Sequence, residues 1–60
     1  MNALRNLYRI KNADGKVLAL VTGADDYNAI DRYTLETGDT REVSAEQISH
    51  GYPEEMLKIF

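Results

Sequence analysis

Sixty residues with no cysteine and one histidine exclude the disulfide framework or zinc site by which small domains offset a thin core, so packing or a partner must supply stability. An apolar share of 43% without a run near the ~20 residues of a membrane span, and no apolar core in residues 1–9 to suggest a signal peptide, point to a cytoplasmic protein with no membrane partner. Ten carboxylates against seven Lys and Arg give a net charge of −3, which weighs against a polyanionic partner.

Residues 4–11 and 16–22 read as two strands joined at Asn12-Ala13-Asp14-Gly15-Lys16. This string resembles the middle of a calcium loop, with Gly15 at the sharp turn and Asn12 and Asp14 as ligands. In that frame Ile10 and Val21 occupy the places of the first and the bidentate carboxylate, so no metal site is expected. The string suits a hairpin instead, with Ala13-Asp14-Gly15 as a three-residue loop and Gly15 in the left-handed region. The loop predicts Ile10 opposite Leu18 and Tyr8 opposite Leu20, which gathers the bulkiest side chains on one face. A two-residue turn at Asp14-Gly15 would instead bring Val17, Ala19 and Val21 beside Tyr8 and Ile10.

A helix is predicted over residues 25–37, with carboxylates in its first turn and Gly38 as a left-handed C-terminal cap. Projection at about 100° per residue places Tyr27, Ile30, Tyr33, Thr34 and Thr37 on the sheet side, and Asp25, Asn28, Arg32 and Glu36 in solvent. Residues 39–43 suit a short third strand. Ser44-Ala45-Glu46-Gln47 has the spacing of a capping box, which predicts a helical turn ending at His50 and Gly51. Tyr52-Pro53-Glu54-Glu55 reads as a further helix start, with Met56, Ile59 and Phe60 on one side. The sum is a single small α+β domain over residues 1–60, a β-hairpin and an amphipathic helix packed on it as a ββα core.

Catalytic chemistry finds no constellation in this chain. His50 stands beside Ser49 in a polar segment and reads as an exposed helix-end side chain, and the pairs Asp25-Asp26 and Glu54-Glu55 read as helix-start acids. The isolated glycines lack phosphate-cradling spacing. Neither an enzyme nor a bound cofactor is expected.

Charge is distributed unevenly. Residues 1–22 hold Arg5, Arg9, Lys11 and Lys16 against Asp14, a balance of +3, whereas residues 23–60 hold three cations against nine carboxylates, a balance of −6. The expected function is therefore a non-enzymatic protein-binding module with two candidate surfaces. One is acidic, formed by Asp25, Asp26, Asp31, Glu36 and Asp39 and suited to a basic or nucleic-acid-binding groove on a target. The other is an apolar sheet face carrying Leu7, Val17 and Val21, which a partner or a second copy would cover as a homodimer. In size, acidity and lack of cysteine the chain resembles small accessory proteins of phages and mobile elements, some of which inhibit host defence or nucleic-acid machinery. The alternative is nucleic-acid binding by the basic hairpin residues Arg5, Arg9, Lys11 and Lys16.

Overall fold

A computed structural model describes residues 4–60 as one antiparallel sheet with a single helix. The elements run β1 (Arg5–Lys11), β2 (Val17–Gly23), α1 (Asp26–Thr37), β3 (Ser44–Tyr52) and β4 (Leu57–Ile59). The strand order is β3-β1-β2-β4, so the expected hairpin lies at the centre, and the four-stranded sheet adds one strand to each of its edges, where a single short third strand was expected.

The turn forms as its residues dictate. Asn12 Oδ1 accepts from the backbone N–H of Asp14 and of Lys16, both at 2.9 Å, and Gly15 N–H donates to the Asn12 carbonyl at 3.0 Å. Gly15 has φ 83°, the left-handed conformation that closes the loop. Lys11 pairs with Val17 as this loop requires, but the next pairs are Ile10 with Ala19 and Tyr8 with Val21. Leu18 is therefore an extra residue, a β-bulge that shifts the register by one. The expected pairing of Ile10 with Leu18 and Tyr8 with Leu20 is corrected accordingly. The bulge turns the smaller Ala19 and Val21 toward the helix, where Leu18 and Leu20 would hold it off the sheet. Tyr8, Ile10, Ala19, Val21, Ala29 and Tyr33 form the core, with Leu18, Ile30, Val43, Ala45 and Leu57 packed against it.

The helix ends where its caps lie. Asp25 Oδ1 accepts from Asn28 N–H at 2.8 Å, and Gly38, with φ 72°, donates its N–H to the Thr34 carbonyl at 2.8 Å. Its roll about its axis differs from the projection. Ala29 and Tyr33 are the buried residues, one turn apart, while Tyr27 is exposed. The reason is a close approach at the end of β2: a β-carbon placed on Gly23 would lie 2.9 Å from the Ala29 nitrogen and 2.9 Å from Asn28 Oδ1. This roll also draws Arg32 partly out of the solvent, since its guanidinium donates to the Thr22 carbonyl and, at 3.0 Å, to Thr22 Oγ1.

The last third departs most from expectation. Residues 39–43 form no strand, the capping-box segment lies in β3 rather than a helix, and β4 replaces the second helix start. Each edge of the central hairpin presents unpaired backbone groups, and pairing them outweighs a single short helical turn. Strand alternation then places Ala45 opposite Ile10 in the core and Glu46 opposite Arg9 on the other face. Two register shifts, around Leu7, curl the end of β3, where Gly51 has φ 69°. The tail closes on β2: Thr22 N–H donates to the Met56 carbonyl at 2.9 Å, and Met56 N–H donates to the buried Thr22 Oγ1 at 2.8 Å. His50, expected at a helix end, is an exposed residue of β3.

Two glycine variants separate conformation from contact. Gly15→Ala meets nothing within 4 Å and should cost roughly 1 kcal/mol from the left-handed backbone alone. Gly23→Ala should lower Tm further, because its new methyl must displace helix backbone. Equal thermal melts for the two variants would disconnect the helix roll from Gly23.

Candidate functional site

The five expected acidic site residues lie on or next to α1 but have different duties. Asp25 is the N-terminal cap, and Asp26 Oδ1 accepts from Tyr27 N–H at 2.9 Å. Asp31 and Glu36 are exposed on the helix and enter none of the ion pairs among the described residues.

Asp39 is committed to the fold. Its Oδ2 accepts from the Tyr33 hydroxyl at 2.8 Å and from the Arg41 guanidinium at 2.9 Å, while Oδ1 accepts from Arg41 Nε and N–H, both at 3.0 Å. Thr37 Oγ1 joins the cluster by donating to the Tyr33 carbonyl at 2.8 Å and accepting from Asp39 N–H at 3.1 Å. The hydrogen bonds from the Arg41 side chain and backbone, then the one from Tyr33, hold the Asp39 carboxyl well below the usual carboxylate range. Burial first, and then the Asp39 carboxylate at its hydroxyl, push Tyr33 up. The paired carboxylate likewise raises Arg41. Asp39 therefore fastens the chain after α1 to the buried Tyr33.

The apolar candidates do not share a face. Val21 is fully buried under the helix, and Leu7, although 8% exposed, lies outside the core cluster on the side of β1 opposite Tyr8 and Ile10. Val17 is half-buried beside the turn. The expected face of Leu7, Val17 and Val21 is corrected for the same reason as the register: the Leu18 bulge reverses which side of the sheet the rest of β2 presents. Ile10, where a calcium loop would need its first carboxylate, is fully buried like Val21.

The basic stripe is largely answered from within the chain. Arg9 and Lys11 reach Glu46 at 3.1 and 3.5 Å, and Arg5 reaches Glu55 at 3.3 Å. Of the four cations proposed for nucleic acid, only Lys16, at the turn, enters none of the ion pairs among the described residues.

Two exposed side chains complete a surface that the projection did not find. Tyr27 and Leu35 are 76% and 85% exposed, at the i and i+8 places of α1 with Asp31 between them at i+4. These positions point away from the buried pair Ala29 and Tyr33. Beside Leu35, a shallow hollow lined by Arg32, Leu35, Glu36 and Leu57 leads toward β4. The signal for this arrangement was the small-residue pair Gly23 and Ala29, which marks the line of contact between helix and sheet. The chain matches no protein-family model, and no curated protein or solved structure is found to be similar to it.

The Asp39 cluster sets a pH dependence with a definite sign. A carboxyl whose folded pKa is depressed contributes stability that is fully present above its unfolded pKa, about 4, and is lost as pH falls through the lower folded value. Denaturant midpoints should therefore fall on acidification below about pH 4, and Asp39→Asn should lower the neutral-pH midpoint while flattening that fall. An unchanged acid limb in the variant would remove the cluster from the fold's acid sensitivity.

Proposed function

We propose that the protein is a non-enzymatic protein-binding module that lays the outward side of α1 on a basic, partly apolar surface of its target, as a small inhibitor does. The observation that carries this reading is the exposure of Tyr27 and Leu35 on either side of Asp31. Large side chains held in water on a rigid helix gain by being covered, at roughly 25 cal/mol per Å² of apolar surface removed from solvent. An aromatic and an aliphatic anchor are the usual centre of an interface, and polar groups form its rim.

The rim here is acidic. Asp26, Asp31 and Glu36 are exposed along the helix, while its one cation, Arg32, is turned inward to Thr22. Carboxylates so placed steer the module toward a basic partner and raise its rate of encounter. The twelve residues of α1 span about 18 Å, the size of segment that docks as a helix in a groove. A nucleic-acid-binding protein of a host would present such a groove, which agrees with the phage-accessory resemblance in size and charge.

Tyr27→Ala with Leu35→Lys tests the reading, since both sites are exposed and the double variant should keep the parent Tm. Affinity capture from lysate should recover a protein with the parent chain and lose it, at least tenfold, with the double variant, a loss of about 1.4 kcal/mol or more. Full capture by the folded double variant would move the interface off α1. Recovery of nuclease-sensitive material alone would transfer the function to the basic hairpin.

A further inference from the structure

We propose that the open edge of β4 is a second docking site, which takes an extended segment of a partner protein with alternating apolar and acidic residues as an added strand. β4 is the last strand of the sheet on its side and has no neighbour beyond it among the described residues. Thr22 N–H donates to the Met56 carbonyl and Phe60 N–H to the Leu18 carbonyl, both at 2.9 Å, so residues 56 and 60 turn their backbone groups toward β2. Alternation then turns the N–H and C=O of Leu57 and Ile59 outward, a free set of donors and acceptors for one more antiparallel or parallel strand.

The side chains select the sequence of that strand. Ile59 pairs with the buried Ala19 and therefore stands on the helix side of the sheet, where it is 45% exposed, with Leu57 on the same side. Leu57 and Ile59 thus form a short apolar edge that alternate apolar side chains would cover, next to a hollow that Leu57 shares with Leu35 and the charged Arg32 and Glu36. Lys58 stands on the other face. It ends a cross-strand row that runs Glu46, Arg9, Leu20, Lys58. At the far end of this row Arg9 is answered by Glu46 at 3.1 Å, whereas Lys58 enters none of the ion pairs among the described residues and lies 5.7 Å from the Phe60 ring centroid. A carboxylate on the added strand opposite Lys58 would give this end of the row the same pairing as the other.

Lys58 also argues against a second copy as the occupant. Pairing β4 with itself through the outward groups of Leu57 and Ile59 centres the two-fold axis on residue 58 and sets two lysines face to face, which is destabilising. The other sheet edge is a poorer template, because β3 carries two register shifts that twist its end away.

The test titrates the full chain with a blocked peptide of sequence Ser-Val-Glu-Val-Glu-Val-Ser and follows backbone amide signals by NMR. Saturable shifts centred on the Leu57 and Ile59 amides are expected at millimolar peptide. Replacing each Glu of the peptide by Lys should weaken binding roughly five-fold or more, and Lys58→Glu should reverse that preference. Tyr27→Ala should leave the shifts in place, which separates this site from the outward side of α1. No saturable shift, equal binding of the two peptides, or sedimentation as a dimer with Leu57 and Ile59 amides protected would each overturn the proposal.

Discussion

The close approach of Gly23 to Ala29 governs this fold. With no β-carbon at Gly23, the first turn of α1 settles onto the end of β2, and that one contact fixes the roll of the helix. Ala29 and Tyr33 then face inward, Arg32 reaches Thr22, and the Tyr33 hydroxyl reaches Asp39. The same roll leaves Tyr27, Asp31 and Leu35 outside. A helix seated on bulky residues would turn by about a quarter and hide Tyr27, the arrangement that an amphipathic projection favours. The apolar groups on the surface are thus a consequence of how the core closes.

Thr22 couples this contact to the tail. Its hydroxyl accepts from Met56 N–H and from Arg32, and donates to the Met56 carbonyl at 3.2 Å. A buried hydroxyl with all its partners links β2, α1 and the start of β4 in one network. The tail is held by sheet hydrogen bonds and by Leu57 against the core, which makes it part of the domain's closure. In a chain of this size a three-residue strand is a substantial share of the available pairing.

Features written in local chemistry were legible in the sequence, and those decided between distant segments were not. Asn12 and Gly15 specify the turn, and Asp25 and Gly38 specify the helix limits, because each acts through backbone groups within four residues of itself. The Leu18 bulge has no such mark, since Leu suits either register and only the helix overhead discriminates. Ser44 and Gln47 carried a true helix signal that lost to the open edge of β1, and Glu46 is better understood as the partner of Arg9 and Lys11 than as part of a cap. At the candidate site Asp31 and Glu36 were legible as exposed acids. Tyr27 and Leu35 were not, because the projection weighed bulk, and the contact is made by the smallest residues available.

Internal neutralisation settles which charges face outward. The two halves of the sequence differ sharply in sign, but the fold sets β3 and the loop before β4 against β1, so Glu46 and Glu55 spend their charge on the basic strand. Asp25 and Asp39 are likewise absorbed, one by the helix cap and one by Arg41 and Tyr33. What remains on α1 is Asp26, Asp31 and Glu36 around two uncovered apolar side chains. Exposed ion pairs of the kind seen on β1 add little stability, so their main effect is on the field that a partner meets. By offsetting two of the three positive charges of β1 they weaken the basic strand, and the outward carboxylates of α1 stand as a concentrated acidic surface around Tyr27 and Leu35.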